Sequence, residues 1–180
     1  MKKQQEITFI EAIQRDDKTE IKSIVVKPFS AKVRQALPQK DELNLLEEAE
    51  FVSAVTGLSA KELDKLTVPD YNALVEAAYP FLVSNSYELA GEELDSRKRV
   101  VKLFFDEHER EINFKFPKLK HSRLADEISD PFERTVFILE QITSLCRDEI
   151  ESMPLPDYRS LELVAGDFLQ KPAHYFTAKP

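Results

Sequence analysis

Residues 68–82 read VPDYNALVEAAYPFL and residues 155–169 read LPDYRSLELVAGDFL, and this pair decides how the fold is read. Placed one above the other, residues 45–82 and 132–169 align without a gap at an offset of 87. Identities occur at Thr56/Thr143, Leu58/Leu145, Glu62/Glu149, Pro69/Pro156, Asp70/Asp157, Tyr71/Tyr158, Leu74/Leu161, Ala78/Ala165, Phe81/Phe168 and Leu82/Leu169. Leu63/Ile150, Leu66/Met153 and Val68/Leu155 fill other apolar slots with near-equivalents. Upstream the letters diverge but helical spacing persists, through Leu45, Ala49, Val52 and Val55 in one segment and Phe132, Val136, Leu139 and Ile142 in the other. A copied pattern of this kind implies a copied structural unit.

Each copy predicts three helices. The first runs from about Asp41 to Thr56, and from about Asp130 to Thr143 in the second copy. Thr56-Gly57-Leu58 ends it, and Ser59 with Glu62 forms a capping box that opens a short second helix. The second copy keeps Glu149 but has Cys146 at the cap, so its short helix is expected to start less firmly. Pro69 and Pro156 fall in the first turn of the third helix, where a missing N–H costs little. Asp70 and Asp157 follow and place a negative charge on the positive end of the helix dipole. The PDY motif therefore reads first as a helix start, with Leu74, Ala78 and Phe81, or Leu161, Ala165 and Phe168, as the apolar stripe behind it.

Upstream of each helical part lies β structure. Ile7–Ile10 and Lys22–Val26 flank the polar turn 14–18, and Val100–Phe105 and Glu111–Phe116 flank the turn 106–110. Each second strand runs into a proline, Pro28 or Pro117. The predicted fold class is α+β: two tandem repeats, each a β-hairpin followed by about three helices. Residues 1–84 make the first repeat, 85–96 a polar linker and 97–172 the second repeat. Residues 173–180, aperiodic and with two prolines in the closing stretch from Gln170, are expected to be a mobile tail.

Charge narrows the partners. The chain has 180 residues, 42% of them apolar, and a net charge of −8 split evenly between its halves. Neither half carries the basic excess that a nucleic acid or an anionic membrane surface would attract. The opening MKKQQEITF leads into no apolar run of signal-peptide length, and no stretch approaches a membrane span. The single cysteine, Cys146, cannot form an intramolecular disulfide. These features predict a soluble cytoplasmic protein.

Chemistry-bearing residues are scattered. His108 lies in a charged hairpin turn, His121 follows Lys118 and Lys120, and His174 sits near the C-terminus, so all three read as surface side chains. Cys146 stands where the other copy has Ser59 and reads as a small structural residue rather than a nucleophile. Three glycines allow no phosphate-cradling loop, and the acidic residues from Asp41 to Glu50 alternate with leucines as a solvated helix face does. No catalytic, metal or cofactor site is predicted. Tyr71 and Tyr158 are the candidate partner-contact residues, since tyrosine is favoured at interfaces, with ordinary packing an equal reading.

The run T-G-L-S-x-x-E-L-x-x-L from Thr56 to Leu66, then D-Y-x-x-L from Asp70 and the finish at Phe81-Leu82, resembles the tail assembly chaperones of contractile-tailed, Mu-like bacteriophages. The second copy, Thr143 to Leu169, is a looser match, with Ser144 for the glycine and Cys146 for the serine. The resemblance covers about residues 20–82 and again 110–169. Members of that family are often single units, so the doubling is a departure. The resemblance implies a non-enzymatic protein of the bacterial host cytoplasm. Its partner would be the tape measure protein, a long helical, apolar-rich chain that must stay soluble until the tail tube polymerises around it. A different reading of the same repeat is a non-enzymatic bacterial adaptor or regulatory protein-binding module. A third is an enzyme whose site assembles only in the fold.

Overall fold

Strand β1 (Gln5–Gln14) buries Phe9 and Ile13 and pairs antiparallel with β2 (Glu20–Val26), whose Val26 is fully buried. Their register shifts between Thr8 and Ile13, which lifts the middle of β1 out of the hydrogen-bond ladder. The computed structural model describes residues 3–15, 17–37, 43–106 and 108–177. These divide into two units, Met1–Ser84 and Asn85–Pro180. The fold class is α+β, with two small antiparallel hairpin sheets among helices.

In the first unit the hairpin is followed by α1 (Ala31–Ala36), α2 (Leu45–Thr56), α3 (Ala60–Leu63) and α4 (Val68–Val83). Asn44 and Glu47 form a capping box that starts α2; the predicted start at Asp41 lies outside the described residues. The buried face of α2 is Phe51, Val52 and Val55, whereas Leu45, expected on that stripe, is 72% exposed in the first turn. Gly57 ends α2 in the left-handed conformation, φ 73°, that glycine tolerates best. Helix α4 buries Leu74, Ala78 and Phe81 as predicted, together with Ala77 and Leu82. Phe29, after β2, meets Phe51 edge-on at 5.8 Å and ties α2 to the hairpin end.

The second unit opens with α5 (Ser86–Ala90) and a 3-10 turn (Ser96–Lys98), then β3 (Val100–Lys102) paired with β4 (Glu111–Asn113). Helices α6 (Leu119–Asp126), α7 (Pro131–Ile142), α8 (Arg147–Ser152), α9 (Leu155–Gln170) and α10 (Ala173–Thr177) complete it. Val136, Leu139 and Ile142 of α7 and Leu161, Ala165 and Phe168 of α9 are buried at the predicted helical spacing.

Three expectations are corrected. Residues 85–96 are not a linker: Ser86 is fully buried, its hydroxyl 2.8 Å from that of Ser160 on α9, and the Tyr87 hydroxyl accepts from Lys102 N at 2.9 Å. Residues 173–177 are not a mobile tail: they form α10, whose Phe176 packs on Phe168 and Phe116 at 5.1 Å each. Helix α8 has six residues against four in α3. Glu149 reaches back to accept from Cys146 N at 3.0 Å, and Arg147 pairs with Glu133 and Glu151. The helices α1 and α6 were not predicted; each buries a single alanine, Ala31 or Ala125, too little apolar periodicity to announce a helix.

Candidate functional site

The PDY motif does more than start helices. Pro69 and Pro156 take the second positions of α4 and α9, the first turn as the sequence implies. Thr67 caps α4, its hydroxyl accepting from Asp70 N at 3.2 Å, while the Asp70 carboxylate points away to the hairpin. There Asp70 Oδ1 accepts from Ile10 N at 2.9 Å, inside the part of β1 where the register shifts, and Oδ2 accepts from the Thr67 hydroxyl at 2.8 Å. In the second unit Asp157, fully buried, accepts from Phe104 N and Phe105 N, both at 2.9 Å. Phe104 N, like Lys102 N, faces away from β4, and Phe105 N lies just beyond the end of β3. Strand β3 ends at Lys102 rather than at the predicted Phe105, and Asp157 accepts the two N–H groups just past its end. Each aspartate is thus a clasp between a helix start and its hairpin, supplying an acceptor to backbone donors the ladder leaves over. Burial pushes the Asp157 carboxyl up, against the downward pull of the two donors.

The two tyrosines differ. Tyr158 is 4% exposed and stacks on Phe132 at 5.5 Å, so it belongs to the core of its own unit. Burial raises its phenol, and the Glu162 carboxylate adds to the rise. Tyr71 is half-buried; burial, with the neighbouring Glu48 carboxylate, pushes its phenol up to about 12. His108 and His174 are exposed and His121 is half-buried, with its Nδ1 accepting from Lys118 N at 3.4 Å. Cys146 is exposed. No group of three or more metal-ligating side chains occurs among the described residues.

A cleft with a volume of about 510 Å³, a size usual for ligand-binding clefts, lies in the second unit. Its apolar wall is a triangle of rings from three elements. Phe116, following β4, lies 4.9 Å from Phe168 of α9, and Phe176 of α10 stands 5.1 Å from both. Phe116 is 46% exposed. Around it stand Arg97 and Arg99 at the end of the 3-10 turn and Lys171 at the end of α9. Arg97 is held by Asp95 through two hydrogen bonds, at 2.8 and 3.0 Å. The Arg99 guanidinium lies 5.5 Å over the Phe116 ring, and the Lys171 ammonium 5.6 Å over Tyr175. The cleft is not announced by local sequence, because Tyr175 and Phe176 fall in an aperiodic stretch that reads as a tail. The aromatic pair there, and the F-K-F run before Pro117, were the available signals.

No protein-family model matches the chain, and no curated protein and no solved structure shows significant similarity to it. No helix among the described residues is long and apolar enough to cross a membrane.

Proposed function

We propose that this chain is a tail assembly chaperone in tandem-duplicated form, working in the bacterial host cytoplasm to bind apolar helical segments of a phage tape measure protein and keep them soluble. The observation that carries the reading is the motif from Thr56 to Leu82 and its recurrence from Thr143 to Leu169.

Four matched interactions support the duplication. Thr56 and Thr143 each donate to the carbonyl four residues back, at 2.7 Å, and accept from Leu58 N or Leu145 N at 3.2 Å. Glu62 and Glu149 each receive the backbone N–H of their cap residue and an arginine of the preceding hairpin, Arg15 or Arg110, at 3.0 Å. Lys27 N donates to Val55 O, and Lys115 N to Ile142 O, joining each hairpin end to the helix that follows. Finally, Asp70 and Asp157 clasp each hairpin in turn. Matched apolar positions alone would arise in any pair of helical hairpins, whereas these matched polar contacts are specific.

A chaperone for an apolar helix needs accessible apolar or aromatic surface on an otherwise charged body. The half-exposed ring of Phe116 above two other phenylalanines suits that need. Burial of apolar surface should then dominate binding, which should weaken only a few-fold between about 0.1 and 0.5 M salt. Co-expression tests the proposal: soluble yield of the tape measure protein should rise with this chain present. An unchanged yield would remove the chaperone reading and leave an adaptor built from the same repeat.

A further inference from the structure

The cleft bounded by Phe116, Phe168 and Phe176 combines two recognition chemistries. The rings offer an apolar seat, and two cations stand beside it without a carboxylate. Among the described residues no acidic side chain pairs with Arg99 or Lys171, although acidic residues outnumber basic ones by 33 to 25 in the whole chain. Both are exposed. Arg99 also sits at φ 55°, a left-handed conformation that glycine or asparagine adopts at far lower cost. That conformation closes the 3-10 turn, with Arg99 N donating to Ser96 O, and leaves the guanidinium over the Phe116 ring without an acidic partner among the described residues.

We propose that this cleft is a docking site for an acidic amphipathic helix of the partner. One of its apolar side chains would seat on the phenylalanine triangle, and a glutamate or aspartate one turn away would reach Arg99 and Lys171. The one-turn separation follows from helix geometry, in which residues three or four apart share a face. The occupant's being helical rests on the chaperone reading above; its acidic character rests on the cleft alone. A nucleic acid would also offer anions and rings to stack. It is disfavoured by the net charge of −8, which would repel the rest of a phosphate backbone.

The site distinguishes the two halves of the chain. With Lys27 matched to Lys115 by their bonds to the following helix, the place of Phe116 is held by Pro28 in the first half, and at the helical offset of 87 Lys171 corresponds to Ser84. The first unit therefore lacks the central ring and one of the two cations, and the docking site belongs to the second unit.

The test uses the full chain and fluorescence anisotropy of a synthetic amphipathic peptide of about 14 residues, roughly four helical turns. The peptide carries leucine and phenylalanine at i and i+4, with glutamates one turn away. A second peptide has lysine for each glutamate, and 3-phenylpropionate is a small-molecule competitor. The chain variant is R99N/K171Q, since asparagine keeps the left-handed backbone and neither residue is buried. The glutamate peptide should bind at least about tenfold more tightly than the lysine peptide, and the double variant should lose about tenfold for the glutamate peptide. Equal affinity for the two peptides, or an unchanged affinity of the variant, would overturn the proposal. So would 3-phenylpropionate binding as tightly as the peptide, because the cleft would then be a small-carboxylate site. If the variant loses the acidic peptide as predicted while no tape measure protein binds the wild-type chain, the chaperone reading fails and the docking site stands.

Discussion

Replacing Asp157 with alanine removes the acceptor of two backbone donors at once. Phe104 N and Phe105 N lie 2.9 Å from its two oxygens, the first of these bonds buried and the second part-buried. The β3–β4 ladder ends at Lys102 paired with Glu111, followed only by the bond from Leu103 N to Arg110 O, so neither donor has a strand partner to return to. Each orphaned donor costs about 1–3 kcal/mol when water cannot reach it. Partial water access to Phe105 N places the sum at about 2–4 kcal/mol, well above the ~1 kcal/mol of a lost helix cap or dipole contact. Asp157→Asn should fall between, because its amide keeps one acceptor and sets an N–H against the other donor. Urea denaturation at neutral pH gives the total, and amide hydrogen exchange at Phe104 and Phe105 locates it. A loss under about 1 kcal/mol with both amides still protected would refute the clasp and return Asp157 to a plain helix start.

The same logic makes Asp70→Ala milder, about 1–2 kcal/mol, because it deprives one part-buried donor, Ile10 N, and the Thr67 hydroxyl can still cap α4; exchange at Ile10 is the check. Glu149 is held below the ordinary carboxyl range, first by the Cys146 N–H and then by Arg110. Its contribution to stability is thus present above the unfolded value and lost as pH falls through the lowered folded one. Glu149→Gln should therefore destabilise at neutral pH, with a deficit that vanishes on acidification in denaturant melts at stepped pH; a deficit independent of pH would contradict that cause. Tyr158→Ala should cost about 3–5 kcal/mol through the cavity left against Phe132. Unchanged thermal stability with weakened partner binding would instead make Tyr158 a contact residue.

Local periodicity made the long helices legible. Both sides of α7 and α9, and the C-terminal two-thirds of α2, follow from apolar spacing, and Asp130 caps α7 where the sequence places its start. The two hairpins were legible from alternation, but the length of β3 was not. Beyond Lys102 the chain leaves the ladder, and Phe104 N and Phe105 N find an acceptor more than 50 residues away. The aspartate of the PDY motif had a sufficient local explanation in the helix dipole, which hid its long-range one. A hint was available in the first copy: Thr67 already caps α4, so Asp70 was not needed for capping alone. The cleft was the least legible feature. Its rings come from positions 116, 168 and 176, and no window of sequence contains all three.

The central claim is that this chain binds an apolar helical segment of a tape measure protein. Size-exclusion chromatography of the purified full chain mixed with the tape measure protein, at about 0.3 M salt to screen surface charge, tests it most directly. The account predicts co-elution as a complex ahead of either component, with the tape measure protein held in solution. Separate elution, or precipitation of the tape measure protein with this chain left behind in the supernatant, would contradict it.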